Sequence, residues 1–135
     1  MLDRNNICPC GSKQNYSDCC GAIINRKREA ATCLELMKSR YTAYTLADVN
    51  YLMLSHHSGT RPATSERKGI KKWAESVKWM QLIIVDTWNG TTNDTEGYVE
   101  FKAMYFDNGQ LSQVHEKSFF KRENKRWVYV SGIHS

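Results

Sequence analysis

The chain has 135 residues and a formal net charge of +5 at pH 7. A chain of this length forms one hydrophobic core, which excludes two domains with separate cores. No apolar run approaches the roughly 18–20 residues that span a bilayer, and the polar start MLDRNN argues against a signal peptide. We therefore expect a cytoplasmic protein that does not insert into a membrane. The basic residues are mixed with acids along the chain, so charge gives only weak support for nucleic-acid binding.

Four of the five cysteines lie close together near the N-terminus, at Cys8, Cys10, Cys19 and Cys20. In a reducing compartment thiols stay free or bind metal, and an odd number of cysteines fits that chemistry better than a disulfide framework. Two short pairs separated by a turn-forming loop can converge on a tetrahedral ion, and all-sulfur coordination favours zinc. Because four thiolates fill the coordination shell, the spacing predicts a structural zinc site. Free or redox thiols and an iron–sulfur cluster are the less favoured alternatives.

The cysteine spacing resembles the SEC-C motif, in which Cys-x-Cys is followed after eight residues by Cys-Cys, and the shared positions include Pro9, Gly11, Ser12, Tyr16 and Gly21. SEC-C is a zinc-binding hook at the tail of the SecA translocation ATPase, where it docks the export chaperone SecB. The resemblance implies a zinc-binding hook over residues 1–25 that binds a protein partner, and it does not identify that partner. One departure is Lys13, where many copies of the motif have a second glycine.

Helical spacing begins after the polar segment GAIINRKRE. Apolar residues then recur at intervals of three and four, which predicts a helix from Glu29 to Thr45. Cys33 lies beside this apolar stripe and is predicted to be a small buried residue. Asp48 can cap a second, short helix that ends near His56. A third helix is predicted from Thr64 to Val77.

The second half of the chain contains segments of alternating apolar and polar residues, separated by turn sequences such as Asn-Gly. This pattern predicts four strands, at residues 79–88, 97–106, 110–122 and 126–133. Helices followed by an antiparallel meander predict a two-layer α+β fold, in which three helices pack on a curled four-stranded sheet. A sheet curled into a cone and closed by helices often leaves a pocket.

Sequence blocks along nearly the whole chain are similar to those of the YchJ-like family of bacterial proteins. The blocks are LMKSRYTAYTLADVNYL, the strand from Trp79 to Val85, GYVEFKAMYFDNG and HEKSFFKRENKRWVYVSG. The resemblance implies a SEC-C hook joined to a nuclear-transport-factor-2-like domain, which we assign to residues 26–135. It implies a fold and a zinc site without naming an activity.

Strand alternation places Glu116 and Ser118 on one face of the third predicted strand, which we expect to face the cone. The other cone candidates are the aromatic residues Phe101, Tyr105, Trp127 and Tyr129. A carboxylate buried among aromatic rings requires either a raised pKa or a cation, and Arg40 on the long helix is the candidate cation. The favoured interpretation is a structural Arg40–Glu116 ion pair. In the alternative, Glu116 is a general acid or base, and Tyr41 or Tyr44 donates a hydrogen bond to developing negative charge.

The remaining histidines and basic clusters are interpreted as surface features. His56 and His57 are predicted to be surface residues, because adjacent helical side chains point apart and cannot readily share a metal ion. His115 is predicted to face solvent as a strand residue. A solvated face also explains the basic pairs Lys71-Lys72, Lys121-Arg122 and Lys125-Arg126.

The leading functional hypothesis is a cytoplasmic, non-enzymatic adaptor. Its zinc hook docks a protein partner, and its cone holds a small molecule or a peptide. One alternative is a lyase or isomerase that uses Glu116 with Arg40 and a tyrosine, since folds of this kind host both enzymes and binding proteins. Another alternative, less favoured, is a nucleic-acid-binding protein.

Overall fold

The computed structural model describes residues 6–135, so the start of the predicted hook and most of the stretch MLDRNN lie outside the described residues. The helices and strands are α1 (Cys20–Ile24), α2 (Cys33–Thr45), α3 (Val49–Leu54), α4 (Arg67–Ser76), β1 (Lys78–Asn89), β2 (Glu96–Asp107), β3 (Gln110–Glu123) and β4 (Arg126–His134). Short 3₁₀ turns at Tyr16–Asp18 and Thr64–Glu66 precede α1 and α4. In this part of the chain no helix is long and apolar enough to cross a bilayer.

Helix α2 begins at Cys33, later than the predicted start at Glu29. Thr32 is the N-cap, and its Oγ1 accepts a hydrogen bond from the Glu35 amide at 3.1 Å. The Glu35 carboxylate in turn accepts from the Ala31 amide at 2.8 Å. This reciprocal capping keeps Thr32 in an extended conformation, with φ −134° and ψ 161°, so the residues before Cys33 stay outside the helix.

The next two helices begin close to their predicted positions. Asp48 caps α3 as predicted, since its Oδ1 accepts from the Tyr51 amide at 3.0 Å. The third predicted helix consists of a 3₁₀ turn followed by α4. At its start the Ala63 amide donates to the Glu66 carboxylate at 3.0 Å, which satisfies one of the amide groups that a helix start leaves unpaired.

The four strands form one antiparallel sheet in the order β1-β2-β3-β4, which confirms the predicted meander. A tight turn joins β2 to β3 at Asn108 and Gly109, whose φ values of 52° and 79° suit a two-residue hairpin turn. Register shifts interrupt the β1–β2 pairing twice and the β3–β4 pairing once, between Phe119 and Phe120. Such bulges increase the twist of a sheet, so they help it to curl around α2.

The core lies between α2 and the inner face of the sheet. On β2, Val99, Phe101 and Ala103 are buried while the residues between them are more exposed, as strand alternation predicts. Cys33 is 1% exposed and is a buried apolar residue, as predicted. Its amide donates to the Gly90 carbonyl at 3.0 Å, which ties the start of α2 to the loop after β1.

Candidate functional site

The four N-terminal cysteines converge on one point. Their Sγ atoms all lie within 4.8 Å of one another, and the sulfurs of Cys10 and Cys19 are 3.6 Å apart. Thiolates about 2.3 Å from a tetrahedral zinc ion are separated from one another by about 3.8 Å, so the cluster has the size that zinc requires. Cys8, Cys10 and Cys20 are also buried, as in closed structural sites. The donor set therefore fits a structural metal ion.

Short hydrogen bonds and helix α2 hold this cluster in place. The Cys8 amide donates to the Gln14 carbonyl at 2.8 Å, which closes the loop between the two cysteine pairs, and Ser12 Oγ donates to Cys19 Sγ at 3.1 Å. On its other side, the Cys8 sulfur lies 3.8 Å from Thr42 Oγ1. Since Thr42 belongs to α2, the cluster packs directly against the helix that crosses the sheet.

The four thiols influence one another's ionisation. Hydrogen bonds with the Cys10 and Cys20 side chains lower the pKa of Cys8 to about 3. The pKa of Cys20 is raised, first by its hydrogen bonds with Cys10 and Cys8 and then by burial. One thiolate therefore forms readily, whereas four negative charges at this spacing require a bound cation to offset their repulsion.

A cavity of about 330 Å³ lies between the helices and the inner face of the sheet. Most of its lining is apolar or aromatic, and its aromatic residues are Tyr41, Tyr44, Trp73, Trp79, Phe101, Phe120 and Tyr129. Among the described lining residues, the charged, histidine and serine side chains are Arg40, His56, Glu116, Ser118 and His134. Apolar walls with a small number of polar groups are typical of small-molecule sites, which measure roughly 300–1,000 Å³.

Glu116 lies in the cavity wall on β3 and is 7% exposed. Its Oε2 accepts hydrogen bonds from Ser118 Oγ at 2.5 Å and from Tyr129 Oη at 2.8 Å. Its Oε1 lies 3.1 Å from Nε2 of His134, whose side chain is 69% exposed. The carboxylate is therefore fixed by two hydroxyl groups and a histidine, at an edge of the cavity that reaches solvent.

Arg40 does not form the predicted ion pair with Glu116. Its Nη1 donates to the Leu52 carbonyl and to Ser55 Oγ, both at 2.8 Å, and its guanidinium lies 4.6 Å from the centre of the Tyr129 ring. Among the described residues, no carboxylate pairs with it. A carbonyl near the end of α3 and the π face of Tyr129 therefore hold Arg40 in place of the predicted carboxylate.

Tyr41 and Tyr44, the two candidate hydrogen-bond donors, both line the cavity. Burial raises the pKa of Tyr41 to about 12, so its hydroxyl stays protonated at neutral pH. Within residues 6–135 the Tyr41 hydroxyl has no hydrogen-bond partner, and it is available to a bound molecule. Tyr44 packs against Trp73 and Trp79, with ring centres 6.3 and 5.8 Å apart.

Two predicted cone residues lie outside the cavity lining. Trp127 is 3% exposed and packs beneath the start of α2, where its indole nitrogen donates to the Ala31 carbonyl at 3.2 Å. Tyr105 packs against Trp73 and Trp79, with ring centres 5.7 and 5.5 Å apart. The predicted residues that do line the cavity are Arg40, Tyr41, Tyr44, Phe101, Glu116, Ser118 and Tyr129.

His56 is buried, which contradicts its prediction as a surface residue. Its ring packs edge-on against Tyr129, with ring centres 5.0 Å apart. Burial and then the charges of Arg40 and Arg61 lower the pKa of His56 to about 4, so the ring is neutral near pH 7. Its Nε2 is buried and has no hydrogen-bond partner among the described residues.

The other two predicted surface histidines are partly buried beside carboxylates. His57 Nε2 lies 3.6 Å from Glu123, and His115 Nε2 lies 2.6 Å from Glu100. Each histidine side chain is 21% exposed, so neither points freely into solvent as predicted.

The cavity also contains residues that the sequence prediction omits. The helical spacing of Ile70 and Trp73 on α4 was the sequence signal that could have placed this helix in the cavity wall. The omitted residues include His134, Trp73 and Trp79.

Family comparisons cover most of the chain. Residues 32–132 match the family model described as YchJ, middle NTF2-like domain, and residues 4–22 match the SEC-C motif. This chain belongs to the YchJ-like family. The match confirms the predicted combination of a SEC-C hook with a nuclear-transport-factor-2-like domain.

Curated relatives of the chain include members of the UPF0225 family. The UPF0225 protein GSU1048 of Geobacter sulfurreducens is 41% identical over 127 residues, which are 94% of this chain and 78% of that protein. A UPF0225 protein of Pectobacterium carotovorum is 38% identical over 130 residues, which are 94% of this chain and 83% of that protein. The similarity thus extends through both the hook and the domain.

Solved structures share the fold. The solution structure of RPA3114, a SEC-C motif containing protein from Rhodopseudomonas palustris, matches with a TM-score of 0.84 and 30% identity, over 96% of this chain and 99% of that one. A SEC-C motif containing protein from Psychrobacter arcticus matches with a TM-score of 0.82 and 24% identity, over 100% of this chain and 86% of that one. The curled four-stranded sheet with its helices and N-terminal hook is therefore an architecture that this chain shares with both.

Proposed function

We propose that this chain is a cytoplasmic binding protein with two linked sites. The hook holds a structural zinc ion and docks a protein partner, and the cavity of the nuclear-transport-factor-2-like domain holds a small organic molecule or part of a peptide. The observation that carries the proposal is the cavity, which combines about 330 Å³ of space with buried polar groups on apolar walls.

The aromatic wall favours a ligand with an apolar body. Trp79 packs edge-on against Tyr41 and Trp73, with ring centres 6.0 and 5.4 Å apart. Interlocked rings of this kind form a stiff surface, because each aromatic side chain has few rotatable bonds and its neighbours limit them. Arg40 and Glu116 are each held by hydrogen bonds, so they can orient a molecule that enters.

Binding in the cavity is tested by NMR with a library of small organic fragments, read at the indole N–H signals of Trp73 and Trp79. We expect fragments to shift both signals and Ala103→Phe, which adds a ring to the cavity lining, to abolish the shifts. Ala31→Phe, at an exposed position outside the lining, should leave them unchanged. The absence of any shift, or equal binding by the Ala103→Phe protein, contradicts a ligand-binding function.

The zinc site is tested by measuring the metal content of protein purified under reducing conditions. We expect about one zinc ion per chain, as four thiolates around one ion imply. Cys8→Ser should lower the metal content sharply, whereas Cys33→Ser should leave it unchanged, because Cys33 lies outside the cluster. Metal content far below one ion per chain, or a Cys8→Ser protein with full content, excludes the site.

The exposed side of the hook is the surface proposed for the protein partner. Ile7 is 59% exposed there, and Lys13 and Gln14 are also exposed. A photo-crosslinking residue at position 14 should form one specific adduct in cells, and Cys8→Ser should abolish it. The same crosslinker in place of the exposed Gln110, on the hairpin between β2 and β3, is the matched control. Equal adducts from both positions, or no adduct from position 14, contradict docking through the hook.

A second candidate function is acid–base catalysis, as in a lyase or isomerase. The observation that favours it is the position of Glu116, which lines the cavity without an ion pair to Arg40. The carboxylate could remove a proton from a bound molecule, and the protonated Tyr41 hydroxyl could donate to the oxygen that becomes negative. Such proton transfer contributes roughly 10²–10⁴-fold to a rate.

This candidate is tested with 2-acetylnaphthalene in deuterated water, by following deuterium uptake at its methyl group. Uptake faster than in buffer, abolished by Glu116→Gln, supports proton abstraction next to a carbonyl. Glu75→Gln, at an exposed position on α4, is the control that should keep the rate. If the protein exchanges deuterium no faster than buffer alone, acid–base catalysis by Glu116 is excluded for methyl ketones of this kind.

A further inference from the structure

Arg40 is a buried cation with neutral partners. It is 8% exposed, and its contacts are the Leu52 carbonyl, the Ser55 hydroxyl and the Tyr129 ring. Both hydrogen bonds use Nη1, so within residues 6–135 the N–H groups on Nε and Nη2 have no acceptor. A guanidinium keeps its charge in proteins, and burying it without an anion is unfavourable. The unused N–H groups therefore suit an anion that enters the cavity.

His56 adds a second unmatched polar group beside Arg40. Both side chains contact the same ring, since His56 packs edge-on against Tyr129 and the guanidinium lies over it. The buried Nε2 of His56 has no partner in the described part of the chain. A buried nitrogen in this condition is usually explained by a water molecule or ligand that completes its hydrogen bonding.

The charges around the cavity favour an anion with a single negative charge. Among its described lining residues, Arg40 is the permanent cation and Glu116 is the carboxylate. Glu116 accepts hydrogen bonds from Ser118 and Tyr129 and lies beside His134, and it makes no direct contact with Arg40. One carboxylate would balance Arg40, whereas a doubly charged phosphate would leave one buried charge without a partner.

We propose that the cavity selects molecules that carry one carboxylate on an apolar, ring-sized body, and that Arg40 and His56 bind the carboxylate. The guanidinium donates from its unused N–H groups, and His56 supplies a hydrogen bond from Nε2 in the tautomer that is protonated there. The aromatic wall contacts the apolar body. This inference rests on the proposed ligand-binding function and names the chemical class of its ligand.

The test compares two probes of the same shape, 2-naphthoate and 2-naphthamide, by titration against the full chain. We expect the acid to bind about tenfold to a hundredfold more tightly, as a charge-assisted hydrogen bond implies. Arg40→Gln should remove this preference for the acid, while its affinity for the amide should stay within about twofold of that of the unchanged chain. Arg126→Gln, at an exposed position outside the lining, is the control and should keep the preference.

The possible outcomes separate this inference from the proposed function. Equal binding of acid and amide by the unchanged protein overturns the carboxylate inference and leaves a ligand-binding cavity. Binding of neither probe contradicts both. Because the comparison of the two probes needs no variant, it remains decisive if Arg40→Gln fails to fold.

The variant His56→Phe tests the second residue of the proposed site. It should bind the acid several-fold more weakly than the unchanged chain, and unchanged binding would remove His56 from the proposed site.

Discussion

The carboxylate of Glu116 lies across the backbone of Gly132 on the neighbouring strand, where a β-carbon would be 2.0 Å from Oε2 and 2.2 Å from Cδ. Any larger residue at position 132 must displace this side chain, since no β-carbon tolerates such contacts. We expect Gly132→Ala to break the hydrogen bonds of Glu116 with Ser118 and Tyr129. The loss should lower the free energy of unfolding by about 1–3 kcal/mol, measured by urea denaturation.

Gly69→Ala is the matched control for this prediction. Gly69 lies in α4, and a β-carbon there has no neighbour within 4 Å. Alanine should therefore raise the free energy of unfolding by up to about 1 kcal/mol, because glycine is a poor helix former. A Gly132→Ala protein as stable as the unchanged chain would show that the hydrogen bonds of Glu116 do not depend on the missing side chain at position 132.

Much of the fold was predictable because its signals are local. Alternation along β2 predicted the buried positions, and Asp48 predicted the start of α3, since both patterns involve only neighbouring residues. The spacing of the cysteines predicted their convergence for the same reason. The start of α2 was predicted too early, because the apolar spacing extends through residues that the capping by Thr32 and Glu35 excludes.

The composition of the cavity depends on pairing that no local pattern shows. A bulge places one extra residue of β4 after Tyr129. It brings Gly132 and His134 to the inner face together with Tyr129, whereas uninterrupted alternation would place them on the opposite face. For this reason the sequence could not indicate that His134 lies beside Glu116.

The environments of Arg40 and His56 were also set by tertiary contacts. Arg40 was correctly placed next to the sheet, but its hydrogen bonds go to residues on and just after α3, whose path the sequence does not specify. His56 follows α3 and is buried against Tyr129 of β4, more than seventy positions later in the chain. Patterns of neighbouring residues in the sequence cannot predict contacts between residues so far apart in the chain.

His56 should make the stability of the fold depend on pH. Its pKa is about 4 in the folded chain, compared with 6.5 for an ordinary histidine, mainly because the ring is buried. Between these values the unfolded chain binds more protons, so the free energy of unfolding should fall as the pH is lowered from about 6.5 towards 4. The loss from this one group is up to about 3 kcal/mol.

The measurement compares urea denaturation of the unchanged chain and His56→Gln at several pH values. His56→Gln should lose less stability over this window, because it has no imidazole to protonate. His57→Gln should still lose stability over this window, because it keeps the buried imidazole of His56. An NMR titration of His56 with a midpoint near 6.5 would contradict the prediction.

Removal of metal should disorder the hook without unfolding the domain. The hook has a small cluster of its own, built from cysteines with Tyr16 and Ile24, so its order depends on the ion more than on apolar packing. After treatment with a chelator, we expect fast hydrogen exchange at the amides of Cys8 and Ala22, which are bonded within the hook. Amides of β2 and β3 should stay protected, because those strands pair along their whole length.

Cys33→Ser is the control for the loss of a thiol outside the metal site. With metal bound, the hook amides of this variant should be as protected from hydrogen exchange as those of the unchanged chain. Thr42→Val removes the hydroxyl that lies 3.8 Å from the Cys8 sulfur and should raise exchange in the hook by a smaller factor. Equal protection of the hook before and after complete metal removal would show that the ion does not order it.

Lys13 stores a small amount of backbone strain in the hook. Its φ is 67°, in the left-handed region where side chains other than glycine are disfavoured by roughly 1–2 kcal/mol. Lys13→Gly should relieve part of that strain, while the greater freedom of glycine in the unfolded hook offsets some of the gain. Because folding of the hook and metal binding are linked, we expect zinc affinity to rise by about two- to fivefold.

Competition with a zinc chelator measures this change directly. Lys27→Gly is the control, since Lys27 is also exposed and basic but has no positive φ, so glycine there adds only freedom to the unfolded chain. That variant should bind zinc as well as the unchanged chain or slightly less tightly. If Lys13→Gly weakens zinc binding, the side chain of Lys13 contributes more to the hook than its backbone conformation costs, and the departure from the usual glycine is favourable to the site.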